Sequence, residues 1–318
     1  MDKEYLDKIV RDCNIFEEHD IPSVIKSIQE LDERFERDNL VQIYNYLMSI
    51  VKNPEILMNV IQCSDRLRDG SSLSPLLDLL LLKNLDSETE SYINVRVMCA
   101  KAIANLKDTS AVTSLLYCLN NKDENYKIRL ACADALGRIG DKYAVAPLIE
   151  VMKDEDEKSV YLRETAATAL GMLGDIRAVD PLVSILETQK GIWSKFTFLK
   201  ERVIEALSKL RLDDDMRVFN ALKNSLLDES AQVRINAIEA IMDSDNPQAV
   251  SVIRECLLTD KDEEVKKNAL IALYNLVGRE ILDEVVANSE FSDSLKMEAV
   301  SMISEYEDNN DDLEDDNE

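Results

Sequence analysis

Residues 135–148 read ALGRIGDKYAVAPL and residues 169–182 read ALGMLGDIRAVDPL, so nine of fourteen positions are identical at an offset of 34. A chain that repeats at this interval builds one supersecondary unit many times over. Such units bury their apolar faces against their neighbours, not around a single centre. The match extends backwards: IRLACADALGRIGD (128–141) parallels LRETAATALGMLGD (162–175) and, at an offset of 33, VRVMCAKAIANLKD (95–108). Fainter copies are KERVIEALSKL (200–210), VRINAIEAIMDS (233–244), VKKNALIALYNL (265–276) and LKMEAVSMISEY (295–306). Each carries a basic residue ahead of small and apolar positions. These are Arg96, Arg129, Arg163, Lys200, Arg234, Lys266 and Lys296, at spacings of 33, 34, 37, 34, 32 and 30.

Each unit reads as two helices. In AVAPLIEVMKD (144–154) a proline sits in the first turn, where a missing N–H does no harm. Its Val145, Leu148, Ile149 and Met152 recur at i, i+3, i+4 and i+7 and mark one face. In SVYLRETAATALGMLG (159–174) the stripe is Leu162, Ala166, Ala169, Leu170 and Leu173, and glycines near the end help to stop the helix. Asp175 is expected to cap the helix that follows. Alanine and glycine at 135, 137, 169 and 171 let stacked helices approach closely, so the Gly-x-x-Gly-Asp stretch is a repeated corner. With only 7 glycines, 6 prolines and 5% aromatic residues, the composition also favours helices over strands.

The two strong copies, ALGxxGDxxAVxPL preceded by an arginine at 129 and 163, resemble HEAT repeats. They are most similar to the short HEAT-like repeats first described in phycobilisome (bilin) lyases. The resemblance implies an all-α fold, a right-handed α-solenoid (superhelix) of about six to seven HEAT-like helix pairs. Residues 1–72 are helical in pattern but out of register, and are expected to be degenerate repeats or an N-terminal cap. Residues 73–306 are the expected repeat array. The last twelve residues, 307–318, hold eight acids and no base and are expected to form a disordered acidic tail.

In HEAT solenoids the second helices line the concave side, and the resemblance places a partner-binding face there. One surface column runs Lys101, Asp134, Thr168, Glu205, Glu239 and Ile271. A second runs Asn105, Arg138, Met172, Lys209, Asp243 and Asn275, and a third Met98, Ala131, Thr165, Arg202, Asn236 and Asn268. The columns vary while the core columns do not, as expected of a common scaffold with a customised surface. The recurring arginines are expected to tie neighbouring repeats through corner aspartates, in a structural ladder of Arg96, Asp108, Arg129, Asp141, Arg163 and Asp175, with Asp108 set against Arg129 and Asp141 against Arg163. One longer corner, ETQKGIWSKFTFLKER (187–202), carries Trp193 and Phe196 among lysines. These rings either fill the gap left by the longer turn or contact a partner.

Catalytic chemistry finds little support. His19 is the one histidine, flanked by Glu17, Glu18 and Asp20, so no metal site, cofactor site or Ser-His-Asp arrangement is expected. The paired His-Glu motifs of HEAT-repeat metal hydroxylases are missing from the sequence. Cys99 and Cys132 fall at the same repeat position as Ala166, which points to core packing. A formal charge of −26 disfavours nucleic acid and anionic membrane surfaces. No C-x-x-C pair, signal-peptide core or membrane-length apolar run occurs, and a reduced, cytoplasmic protein is expected. The reading is therefore a non-catalytic scaffold for an unidentified protein or peptide partner, of unknown oligomeric state. The alternative, which the resemblance implies, is a bilin or cofactor lyase or chaperone-like accessory factor.

Overall fold

The computed structural model describes residues 1–16, 20–81, 89–154, 156–157, 159–187, 196–210 and 215–315, with side chains as far as 304. Among these residues every regular element is helical. The chain divides into two units, Met1–Asp175 and Ile176–Glu318.

In the first unit α1 (Lys3–Asp12), α2 (Ile21–Gln29) and α3 (Leu31–Arg34) precede four helix pairs. These are α4 (Arg37–Ile50) with α5 (Pro54–Leu67), α6 (Leu73–Leu81) with α7 (Glu90–Leu106), α8 (Val112–Asn120) with α9 (Tyr126–Ile139), and α10 (Val145–Lys153) with α11 (Val160–Leu173). The two helices of each pair pack together, and the second helices pack in order: α5 on α7, α7 on α9, α9 on α11. In the second unit the pairs are α12 (Val179–Glu187) with α13 (Thr197–Lys209), α14 (Met216–Ser225) with α15 (Ala231–Met242), α16 (Ala249–Thr259) with α17 (Glu263–Val277), and α18 (Glu280–Ala287) with α19 (Asp293–Asp315). Here α13 packs on α15, α15 on α17 and α17 on α19. Each unit is thus a stack of helix pairs, the α-solenoid architecture. Pairing starts at Arg37, well ahead of residue 73, because Tyr44, Leu47, Ile56 and Ile61 already supply a buried inter-helix seam.

The repeated corner is a sequence of local devices. In the first unit the aspartate accepts a hydrogen bond from the backbone N–H two residues on: Asp69 from Ser71 at 3.0 Å, Asp108 from Ser110 at 2.9 Å, Asp141 from Tyr143 at 2.8 Å. Each caps a three-residue 3-10 turn, and the next first helix begins after it. That turn ends on a small buried residue, Ser72, Ala111 or Ala144. The glycine before Asp141 is the left-handed C-cap of α9, Gly140 at φ 85°. Lys107 occupies the same place after α7 at φ 54°. A side chain there is strained, so Lys107→Gly is expected to raise stability by about 0.5–1 kcal/mol, a left-handed penalty partly offset by the entropy of glycine. A urea titration followed by circular dichroism checks this.

The stripes read from the periodicity are buried except at one position. Val145, Leu148 and Met152 on α10, and Leu162, Ala166, Ala169, Leu170 and Leu173 on α11, are in the core, whereas Ile149 is only half-buried and Val151 is buried instead. The C-terminus differs from expectation. Helix α19 runs on through Asp315, so the tail expected to be disordered is helical to that point, and residues 316–318 lie outside the described residues. The reason is local: no glycine or proline stands between 293 and 315 to end the helix.

Candidate partner-binding face

The second helices set the spacing of the face because small side chains let them nest. A Cβ placed on Gly137 of α9 would lie 2.8 Å from the Cα of Ala169 on α11. In the first unit Lys101 and Arg138 are exposed, while Asp134, Asn105, Thr168 and Met98 are partly so, and Met172 is 43% exposed. Asn105 donates to both carboxylate oxygens of Asp65 on α5, at 2.8 and 2.9 Å, and its carbonyl oxygen accepts from Arg138. Arg138 also lies 3.8 Å from Asp134. One polar chain therefore crosses α5, α7 and α9. Asp65 falls in none of the sequence columns. It lies 40 residues before Asn105, outside the regular spacing, and the sequence carries no periodic signal for it.

The column through residue 131 needs correction. Ala131 is only 4% exposed, and Met98 and Thr165 are half-buried. The closeness of α7, α9 and α11 explains this: a position one turn from the seam is covered when the neighbouring helix is near.

In the second unit Arg202, Glu205 and Lys209 form one row along α13, with Glu205 accepting from both cations at 2.7 Å. The Lys209 hydrogen bond, with Arg202 beside it, holds the Glu205 carboxyl below the usual range despite partial burial. Glu239 is exposed on α15 and Asp243 at its C-cap, and Ile271 on α17 is 40% exposed. Asn236 accepts from Gln232 at 2.8 Å. Phe196 is half-buried just ahead of α13, whereas Trp193 and His19 lie outside the described residues.

The basic residues do form rungs, but with other partners than the corner aspartates. Arg96 forks onto Glu124 at 2.9 and 2.6 Å and donates Nε to the Leu80 carbonyl at 2.7 Å. Arg129 reaches Glu157 at 2.6 Å and the Leu119 carbonyl at 2.8 Å. Lys200 pairs with Asp228, and Arg234 forks onto Asp260 at 2.8 and 3.0 Å. Each acid sits in the loop inside the next pair, not at the corner. Arg163 donates to the carbonyls of Asp154 and Glu157, at 3.1 and 2.7 Å. Asp108 and Asp141 cap turns instead. Asp175 is buried, with Lys142 3.9 Å away. A sequence signal for the true partners exists: Glu124, Glu157 and Asp228 each follow their cation by 28 residues.

The six cysteines are buried and unbridged. Burial drives the Cys99 thiol far up from its ordinary range, so that it packs as an uncharged group. Among the described residues no cluster of His, Cys, Asp or Glu is placed to hold a metal ion, and no helix is long and apolar enough to cross a membrane.

A stack of helix pairs with capped corners and buried inter-repeat rungs defines a helical-repeat protein. The family model for HEAT repeats matches residues 81–160, 121–193, 197–274 and 219–302, more than half of the chain, and the protein belongs to that family. Among curated proteins no relative matches. Among solved structures, Kap95p, which binds RanGDP, is similar with a TM-score of 0.58 and 13% identity over 94% of this chain and 46% of that one. YibA from E. coli is similar with a TM-score of 0.51 and 19% identity, covering 86% of this chain and 97% of its own. The CpcE–CpcF phycocyanin lyase from Nostoc sp. PCC7120 follows at a TM-score of 0.44 and 23% identity, covering 74% and 87%. These likenesses concern the fold alone.

Proposed function

We propose that this protein is a non-catalytic scaffold whose second helices bind a protein or peptide partner. The observation that carries the reading is the contrast between columns. At one register the stacked helices keep Ala102, Ala135 and Ala169 buried, while a neighbouring register changes from Lys101 to Asp134 to Thr168, and in the second unit from Glu205 to Glu239. A mixed-charge surface with an adaptable methionine suits a protein better than a polyanion. The fold supports the same use, as Kap95p binds RanGDP.

The test is a double charge reversal, Glu205→Lys with Glu239→Lys. Capture of the partner from a lysate of the native cell is expected to fall about tenfold or more. Stability changes by less than about 1 kcal/mol, because the Glu205 pairs are exposed. Unchanged capture by a loosened protein would remove this face from consideration. Mixing the protein with phycocyanobilin separates the lyase alternative: an absorbance change on mixing would favour it.

A further inference from the structure

A cavity of about 410 Å³ opens in the unit Ile176–Glu318, at the ends of the first helices α14 and α16. That volume lies within the range of sites that take a ligand group. Leu226, Val252 and Cys256 line it, each less than a tenth exposed, and burial pushes the Cys256 thiol up to about 11, so the thiol is an uncharged part of the lining. Leu227 lines it as well and is 85% exposed.

The ladder shows how unusual Leu227 is. Asp228 takes Lys200 as Glu124 takes Arg96 and Glu157 takes Arg129. Aligned on that rung, Leu227 stands where two sister loops carry Asp123 and Asp156, and Leu226 where they carry Lys122 and Glu155. The loop of the Arg234 rung carries Thr259 and Leu258 at these two places, so none of these sister loops has a leucine at the position of Leu227. At Leu227 an apolar residue thus replaces a charged or polar one in the loop that borders the cavity. The rung itself does not require this, since it is made equally well in the charged loops.

The net charge of the chain, not the charges of the site, sets the sign of the favoured ligand. Asp228 and Asp260 are paired with Lys200 and Arg234. Glu229 and Glu255 line the cavity, as do Lys223 and Lys261, and among the described residues none of the four is in an ion pair. They balance one another locally, so the field of a chain with formal charge −26 favours a cationic ligand.

We infer that this cavity docks a short basic peptide segment of a protein partner. The segment inserts a leucine- or phenylalanine-sized side chain against Leu226, Val252 and Cys256, with Leu227 as the outer wall, and sets flanking lysines or arginines beside Glu229 and Glu255. This site uses first helices and their loop, and it stands whether or not the second-helix face binds a partner.

The test titrates the full-length protein into fluorescein-labelled, end-blocked Lys-Lys-Leu-Lys-Lys and Lys-Lys-Ala-Lys-Lys, read by anisotropy at about 0.15 M salt, where long-range attraction is largely screened. The leucine peptide is expected to bind about tenfold tighter than the alanine peptide. Leu227→Asp, which installs the residue two sister loops carry, is expected to erase that difference with circular dichroism and Tm unchanged. Leu227→Ser serves as a second variant that adds no charge and is expected to behave alike. The Glu205→Lys, Glu239→Lys variant is expected to keep the preference. The inference is overturned by equal or undetectable binding of the two peptides, by a preference that survives both Leu227 variants, or by its loss on charge reversal of the second-helix face.

Discussion

Truncating Arg234 to alanine is expected to destabilise the protein by about 3–5 kcal/mol, the cost of leaving a buried carboxylate without its partner. Arg234 is 4% exposed, forks onto Asp260 and also donates to the carbonyls of Asp228 and Glu229. Its removal therefore strands one charge and two carbonyls at the junction of two successive helix pairs. Urea unfolding of the full chain measures the loss. Replacing both partners together, Arg234→Met with Asp260→Leu, is expected to recover most of it, because no unpaired charge then remains buried. If the single and double variants are equally unstable, the ion pair is not the source of the effect.

The same rung has a pH signature. Burial pushes the Asp260 carboxyl up, but the Arg234 hydrogen bond and the backbone amides of Asp262 and Lys261 outweigh it and hold the group below its ordinary value. A depressed carboxyl contributes stability that is fully present above its unfolded pKa and is lost as pH falls through the folded one. The gap between wild type and Arg234→Ala is thus expected to be widest near neutrality and to narrow below about pH 4.

How far the sequence can be read follows from which forces are periodic. Helix stripes, small seam residues and corner caps recur with the repeat, so Leu170, Ala169 and Asp141 announce their places. The recurring arginines are legible as rungs, but nearness in sequence points to the wrong partners. Asp108 sits close to Arg129 in the chain, yet a 3-10 turn takes its carboxylate for a backbone amide. The true acceptor, Glu157, lies in the loop of the next pair, and only the 28-residue interval gives it away. Surface exposure is less legible still. Ala131 lies in a column shared with Arg202 and Asn236, and its burial depends on the separation of neighbouring helices, which no single unit encodes. The cavity beside Leu227 has no motif, since its lining is drawn from the ends of two first helices and the loop inside a pair, which share no periodic signal.

That helix separation is itself open to test at Gly137. A methyl group there would meet the Ala169 Cα and Cβ at 2.8 Å and the Met172 sulfur at 3.3 Å. The sulfur can swing aside, but the Ala169 backbone cannot, so α9 and α11 must part. Gly137→Ala is expected to cost about 1–3 kcal/mol through overpacking, and this outweighs the roughly 1 kcal/mol that alanine gains over glycine inside a helix. The neighbouring Gly140 supplies the contrast. A side chain there would meet nothing within 4 Å, but its φ of 85° is left-handed. Gly140→Asn should therefore be tolerated better than Gly140→Ala, since asparagine enters that region more readily. Pairing Gly137→Ala with Ala169→Gly removes one of the two clashing carbons, and the double variant is expected to be more stable than the sum of the single changes by about 0.5 kcal/mol or more. Strict additivity would mean that the two positions do not touch, and the nesting of second helices that spaces the surface columns would have to be set by something else.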